Sequence, residues 1–307
     1  MVSSRRLIPG LGLVLMLLAG CAGRSAPVSP AEAPPPAPAA TEPPPAAEEG
    51  IASTVRGDFH LVGRTLSRTV RSELVPNDAA RWTYLGSLAL VSGYLESQKE
   101  RLRRDVQTSG FARHSGWTDF GGQVGQGRIV QGSAVLLYGG GLLGGNTRVR
   151  QTGLLLAESY AMAQTTASLL NFVFSERRPK AGGELRYFHT GGSSTSLHMT
   201  NTVVLAEVLD HQFTRLSDGD SPGLRTAKIL GKVVLYAIPA VTAWQRVRSD
   251  EHYLWNVAMG AGQSFYVTGA VLRAHDRETG RPPWLPQLAM AGPVEGGGER
   301  VVMVWVF

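Results

Sequence analysis

The sequence predicts an all-α fold, a helical bundle, and three observations predict it. Between residues 80 and 275 the chain is a succession of runs with helical length and composition, separated by breaks that carry glycine or proline. Only "RVVMVWVF", residues 300–307, has clear strand character. Cys21 is the single cysteine, so no intramolecular disulfide is possible and the folded part must rely on a hydrophobic core. A segment of the length of 51–307 can bury one.

The elements follow in order. Residues 51–80 are polar and mixed, with "VPND" offering a turn or a helix cap. "WTYLGSLALVSGYLESQKERLRRDVQ" is apolar in its first half and charged in its second, and reads as one long helix. "TSGFARHSG" breaks it. "IVQGSAVLLYGGGLLGG" is apolar and glycine-rich, which suggests close helix packing. "NTRVRQTGLLLAESYAMAQTTASLLNFVFSE" is a long helix ending near Pro179, followed by the loop "KAGGELRYFHTGGSSTS". Three more helical runs follow: "LHMTNTVVLAEVLDHQF", "GLRTAKILGKVVLYAIPAVTAWQRV" and "HYLWNVAMGAGQSFYVTGAVLRAH". Pro239 should kink the middle one. Residues 129–147 and 253–272 contain no charge, yet both are glycine-rich and carry polar residues. They are read as buried helices of a globular bundle rather than membrane spans.

The first fifty residues have a different character. "MVSSRRLIPGLGLVLMLLAGC" has two arginines, an apolar stretch shorter than a membrane span, and a small-residue box. "LAGC" resembles the lipobox of bacterial lipoproteins. That resemblance implies a signal peptide over residues 1–20 and a lipid on Cys21. Ala22 in the next position implies delivery to the outer membrane, facing the periplasm. Residues 21–50 then form a Pro/Ala-rich tether; nine of the chain's 18 prolines lie in 24–50. It has too little apolar content to fold and at ~3.1 Å per residue reaches roughly 80 Å. Without Arg5, Arg6, Arg24, Glu32, Glu42, Glu48 and Glu49 the remaining domain, 51–307, has 27 cations and 20 anions, a net charge of +7. That favours an acidic partner or substrate. The cations form no stripe and no aromatic–basic motif, which argues against nucleic acid.

Three stretches hold residue types suited to phosphate. "ERRPK", residues 176–180, puts Arg178 before Pro179 where an apolar helix stops. "GGSSTSLHMT", residues 191–200, sets small hydroxyl residues before a helix whose free N–H groups and positive end suit an anion, with His198 in its first turn. "QRVRSDEHYLWNVAMG", residues 245–260, ends one helix at Arg246 and begins the next at His252, with Asn256 four residues on and expected on the same face. Each alone is ordinary: a surface arginine, a capping histidine, loop residues.

Together they resemble, over roughly residues 80–275, the three motifs of the type 2 phosphatidic acid phosphatase and vanadium haloperoxidase superfamily. In the first motif, Lys, six residues, Arg-Pro, "NFVFSERRP" supplies Asn171 at the lysine position and Arg178-Pro179 at the end. In the second, Pro-Ser-Gly-His, "TSLH" supplies Thr195, Ser196, Leu197 and His198. In the third, Arg, five residues, His, three residues, Asp, the chain has Arg246, His252 and Asn256.

The resemblance implies a helical domain of that fold and a metal-independent phosphomonoesterase with no cofactor. Its substrate would be a lipid or small phosphate ester near the membrane. By resemblance, Arg178 and Arg246 clamp the phosphoryl oxygens, helped by Ser196 and the Leu197 amide; His252 attacks phosphorus; His198 protonates the leaving oxygen and then activates water. Three positions depart from the pattern. Asn171 removes a charge that Lys180 or Arg177 could restore. Leu197 adds bulk where the family has glycine. Asn256 lacks the charge that would fix the nucleophilic imidazole, a charge that Asp250 or Glu251 could supply. The alternative is therefore a degenerate member that binds an anion or a headgroup, or a structural lipoprotein. On that alternative, Asn256→Asp with Asn171→Lys is expected to raise activity. The lysine loss weighs against a haloperoxidase. The sequence shows no metal-ligand cluster and does not fix the oligomer.

Overall fold

The structure, a computed structural model, describes residues 50–108 and 116–282. The described residues are mostly helical, as the all-α reading expects. The helices are α1 (Ile51–Arg68), α2 (Ala79–Ser97), α3 (Lys99–Thr108), α4 (Gly116–Val124), α5 (Gly127–Leu143), α6 (Thr147–Val173), α7 (Leu197–Leu209), α8 (Pro222–Arg248) and α9 (Leu254–Glu278). Strands β1 (Phe174–Glu176) and β2 (Leu185–Tyr187) pair antiparallel, with Ser175 opposite Arg186.

Several elements differ from expectation. Residues 51–68 are helical although polar, because α1 presents a narrow inner face with Asp58 and Thr65 buried on it. The "VPND" cap is used: Asp78 accepts from the Arg81 amide at 2.8 Å. The expected long helix over 82–107 is two helices, broken at Gln98, whose amide still bonds back to Tyr94. The loop after Pro179 holds strand β2, too short for a periodic signal in sequence. Helix α8 runs as one element through Pro239. The "TSGFARHSG" break and the C-terminal strand lie largely or wholly outside the described residues.

Helix α9 is central. It packs on α1, α2, α6, α7 and α8, and most of its length is buried. Its glycines permit this: a Cβ on Gly260 would meet the Ser196 carbonyl oxygen at 2.8 Å, and one on Gly262 would collide with the Leu88 side chain. The main core joins Leu155 and Leu156 of α6, Val204 and Val208 of α7, and Val267, Val271 and Leu272 of α9. Each such side chain contributes about 1.5–3 kcal/mol by leaving water. A second cluster, Met199, Val203, Val247 and Val257, lies where α7, α8 and α9 meet. The close packing expected of the glycine-rich run occurs at α5 against α6, where a Cβ on Gly141 would collide with the Arg150 backbone and one on Gly153 with the Tyr138 amide. Burial holds Glu158 of α6 up at about 8, so it is neutral at pH 7.

The uncharged run over 253–272 is largely buried, as expected. The run over 129–147 is not: Val135, Leu136 and Leu143 of α5 are 71%, 76% and 82% exposed. Helix α8 is long and apolar enough to cross a membrane by length and composition, and only 11% of that stretch is buried. It packs through one side on α4 and α7 and leaves Leu230, Val233 and Val234 outside.

Candidate functional site

The three motif stretches meet at one end of the bundle, where α6 stops, α7 and α9 begin and α8 ends. Each arrives for a local reason. The Ser196 hydroxyl caps α7 by accepting from the Met199 amide at 3.4 Å. His198 therefore sits in the first turn, where the Leu197 and His198 amides have no carbonyl partner within the helix. Arg246 stands in the last turn of α8, where its charge complements the helix dipole. Its carbonyl accepts from both the Glu251 and His252 amides at 3.2 Å, which folds the loop back tightly. Asp250 takes a positive φ of 59° in that turn, and both its carboxylate oxygens bind Arg103, at 2.7 and 2.6 Å. It does not supply charge to His252.

His252 is 5% exposed, and its Nδ1 lies 3.1 Å from the Ser193 carbonyl. A carbonyl only accepts, so Nδ1 must carry the proton. In the neutral ring the lone pair is then on Nε2, the tautomer a nucleophile needs. Burial, then Arg246 and Arg178, pull the His252 pKa down to about 3. The same three causes bring half-buried His198 down to about 4. Both imidazoles thus feel both guanidiniums. Gly125, after α4, walls His198: a Cβ there would come within 2.8 Å of its side chain.

Asn256 does not orient His252, contrary to the expected shared helix face. His252 precedes the helix, and Asn256, in its first turn, folds back so that its Oδ1 accepts from the Tyr253 amide at 2.8 Å. Its NH₂ donates to Glu176 Oε2 at 2.8 Å and to the Ser194 carbonyl at 3.2 Å. Asn171 is tied similarly. Its Oδ1 accepts from the Thr195 amide at 2.6 Å and the Ser194 hydroxyl at 3.2 Å, and its NH₂ donates to the Thr195 carbonyl at 3.1 Å. Both asparagines hold the 193–196 loop. Ser196 is fully buried in its capping role, and Leu197 turns outward, 37% exposed.

Sequence reasoning missed the residues behind this loop. Glu176 is fully buried and accepts from Lys99 Nζ at 2.8 Å, while its carbonyl receives the Ser193 amide at 2.8 Å. Burial raises its pKa against the lowering from Lys99 and Asn256. The signal was a lone carboxylate closing an apolar helix, inside the quoted "ERRPK". Ser193, whose carbonyl sets the His252 tautomer, carried no signal, because the contact is made by backbone.

Arg178, Lys180 and Arg246 all reach the Glu251 carboxylate; Arg246 does so at 3.4 Å. Arg177 does not join them: it is exposed, and its amide serves the hairpin by donating to the Glu184 carbonyl. Arg246 is 7% exposed, and burial lowers its pKa from the usual guanidinium value. Its Nε and the Thr195 hydroxyl are buried without a hydrogen-bond partner. An open groove lies on α1, lined by His60, Arg64, Arg68 and Glu278, apart from all these residues. Cys21 lies outside the described residues. Compared with known proteins, the chain matches no family model, no curated protein and no solved structure.

Proposed function

We propose that the chain is a metal-independent phosphomonoesterase, related in fold and mechanism to the type 2 phosphatidic acid phosphatase and haloperoxidase superfamily. It acts through a phosphohistidine on a lipid or small phosphate ester at a membrane surface. The observation that carries the reading is His252: a buried imidazole fixed by a backbone carbonyl in the nucleophilic tautomer, in the field of two arginines. Nε2 attacks phosphorus, and the P–O bond to the leaving alcohol breaks. His198 as imidazolium gives that oxygen its proton, then as neutral base takes one from the water that hydrolyses the phosphohistidine. Arg178 and Arg246 stabilise the charge on the equatorial oxygens. Burial, then Arg246 and Arg178, depresses the His198 pKa; the bound phosphate offsets the part due to the guanidiniums and so raises the share of His198 that carries a proton. The lipid-surface part rests on α8, which delivers Arg246 and leaves Leu230, Val233 and Val234 exposed. The lipobox-like "LAGC" adds an anchor.

A second reading, a degenerate site that binds an anion without turnover, is favoured by one observation. The side chains of Asn171 and Asn256 are committed to holding the loop.

The test is phosphate release by the full chain from a panel of lipid and soluble phosphomonoesters with chelator present, as a function of pH. In the free protein His252 must be deprotonated, which holds above about 3, and His198 protonated, which holds below about 4. kcat/KM, which reports the free enzyme, should therefore peak in acid and fall through the neutral range. No release at any pH, with phosphate still bound, would leave the second reading.

A further inference from the structure

We propose that Glu251 is the resident anion of a three-cation clamp formed by Arg178, Lys180 and Arg246, and that an incoming phosphoryl group must take its place. The inference rests on the phosphate-site reading above. It assigns the third positive charge of that site to Lys180 rather than to altered Asn171, and makes Glu251 the residue that decides how tightly anions are held.

The geometry points to this in two independent ways. First, three cations from two separate segments converge on one carboxylate: Arg178 and Lys180 from the turn after β1, Arg246 from the end of α8. Guanidinium and ammonium donors arranged around two oxygens are what a phosphoryl group requires, and a carboxylate is the nearest internal mimic. Secondly, Arg246, which reaches Glu251 through its terminal nitrogen, keeps its Nε buried without a partner. A carboxylate presents two oxygens and leaves that donor unmet; a tetrahedral anion presents more. Burial favours the neutral acid, yet Lys180, Arg178 and Arg246 outweigh it and hold Glu251 ionised.

Glu251 sits in a loop whose backbone is fixed by Arg246, so its side chain can swing outward without unfolding the turn. The two anions are then alternative occupants. If the clamp is open roughly a tenth of the time, apparent affinity is about tenfold below intrinsic.

The experiment measures binding of inorganic phosphate to the full chain by isothermal titration calorimetry. Glu251→Gln, which keeps the shape and removes the charge, should bind phosphate about tenfold or more tightly than the unmodified chain. Glu251→Ala serves as a second variant. Asp250→Asn removes a neighbouring charge that faces Arg103 instead, and should change affinity less than about twofold. Adding Lys180→Ala to Glu251→Gln should give back most of the gain. Equal phosphate affinity in Glu251→Gln, Glu251→Ala and the unmodified chain would overturn the proposal while leaving the phosphate site standing. So would an equal gain from Asp250→Asn. Absence of binding in all of them would overturn the phosphate-site reading itself, and this proposal with it.

Discussion

His252→Ala should lower phosphate release by at least about 10⁴-fold, because it removes the atom that would carry the phosphoryl group through the reaction. The fold should survive: the ring's hydrogen bond within the protein goes to the Ser193 carbonyl. Leaving that acceptor unmet costs about 1–3 kcal/mol. Two further readouts separate chemistry from damage. The variant should still bind inorganic phosphate, since Arg178, Lys180 and Arg246 remain. It should also yield no acid-labile phosphoprotein on rapid quenching, where the unmodified chain should. His198→Asn should behave differently. Its loss should be large for alkyl phosphates and much smaller for an aryl phosphate whose phenolate leaves without a proton. Release by His252→Ala at the unmodified rate would exclude the phosphohistidine.

Asn256→Asp should destabilise the protein by about 3–5 kcal/mol rather than restore a family-like triad. The Asn256 NH₂ donates to the Glu176 carboxylate and to the Ser194 carbonyl. An aspartate would set a second carboxylate against a fully buried first one and face two acceptors with none of its own donors. One of the two acids would have to stay protonated. Glu176 already has its pKa raised by burial, and the new neighbour would raise it further. A carboxyl whose folded pKa lies above its unfolded value costs nothing below the ordinary carboxylate range, near 4. The cost then grows as pH rises towards the folded value. Urea unfolding of variant against parent should thus show a small difference at pH 4 and the full one at pH 7.5. Equal stability at both would mean that Asn256 does not face Glu176. Asn171→Lys adds to the damage, because no lysine can replace both bonds to Thr195.

These two asparagines show where the sequence was legible and where it was not. Arg178, His198, Arg246 and His252 could be found because each belongs to a short motif whose residues keep a fixed spacing along the chain. Most helices were legible for the same reason: a periodic pattern is local. The supporting residues are not local. Lys99 meets Glu176 from 77 positions away, and Asn256 meets it from 80. At that range a residue's partner depends on how helices pack, not on what surrounds it in the chain. Asn256 therefore read as a weakened catalytic aspartate, although its amide, a donor and an acceptor at once, suits its place between a carboxylate and an amide. The break at Gln98 was hidden because both flanks favour helix. The β1–β2 hairpin was hidden because three residues carry no period.

Helix α9 lies at the centre of the bundle yet comes last among the described elements. While the chain is being made, the apolar sides of Leu156, Val204 and Val208 wait for Val267, Val271 and Leu272. The contacts that close the core are of high sequence separation, so folding cannot proceed piecemeal from the N-terminus. The slow step should be the docking of α9. That event also brings His252 against Ser193, so the assembly of the candidate site and the rate-limiting closure of the core would arrive together in refolding kinetics.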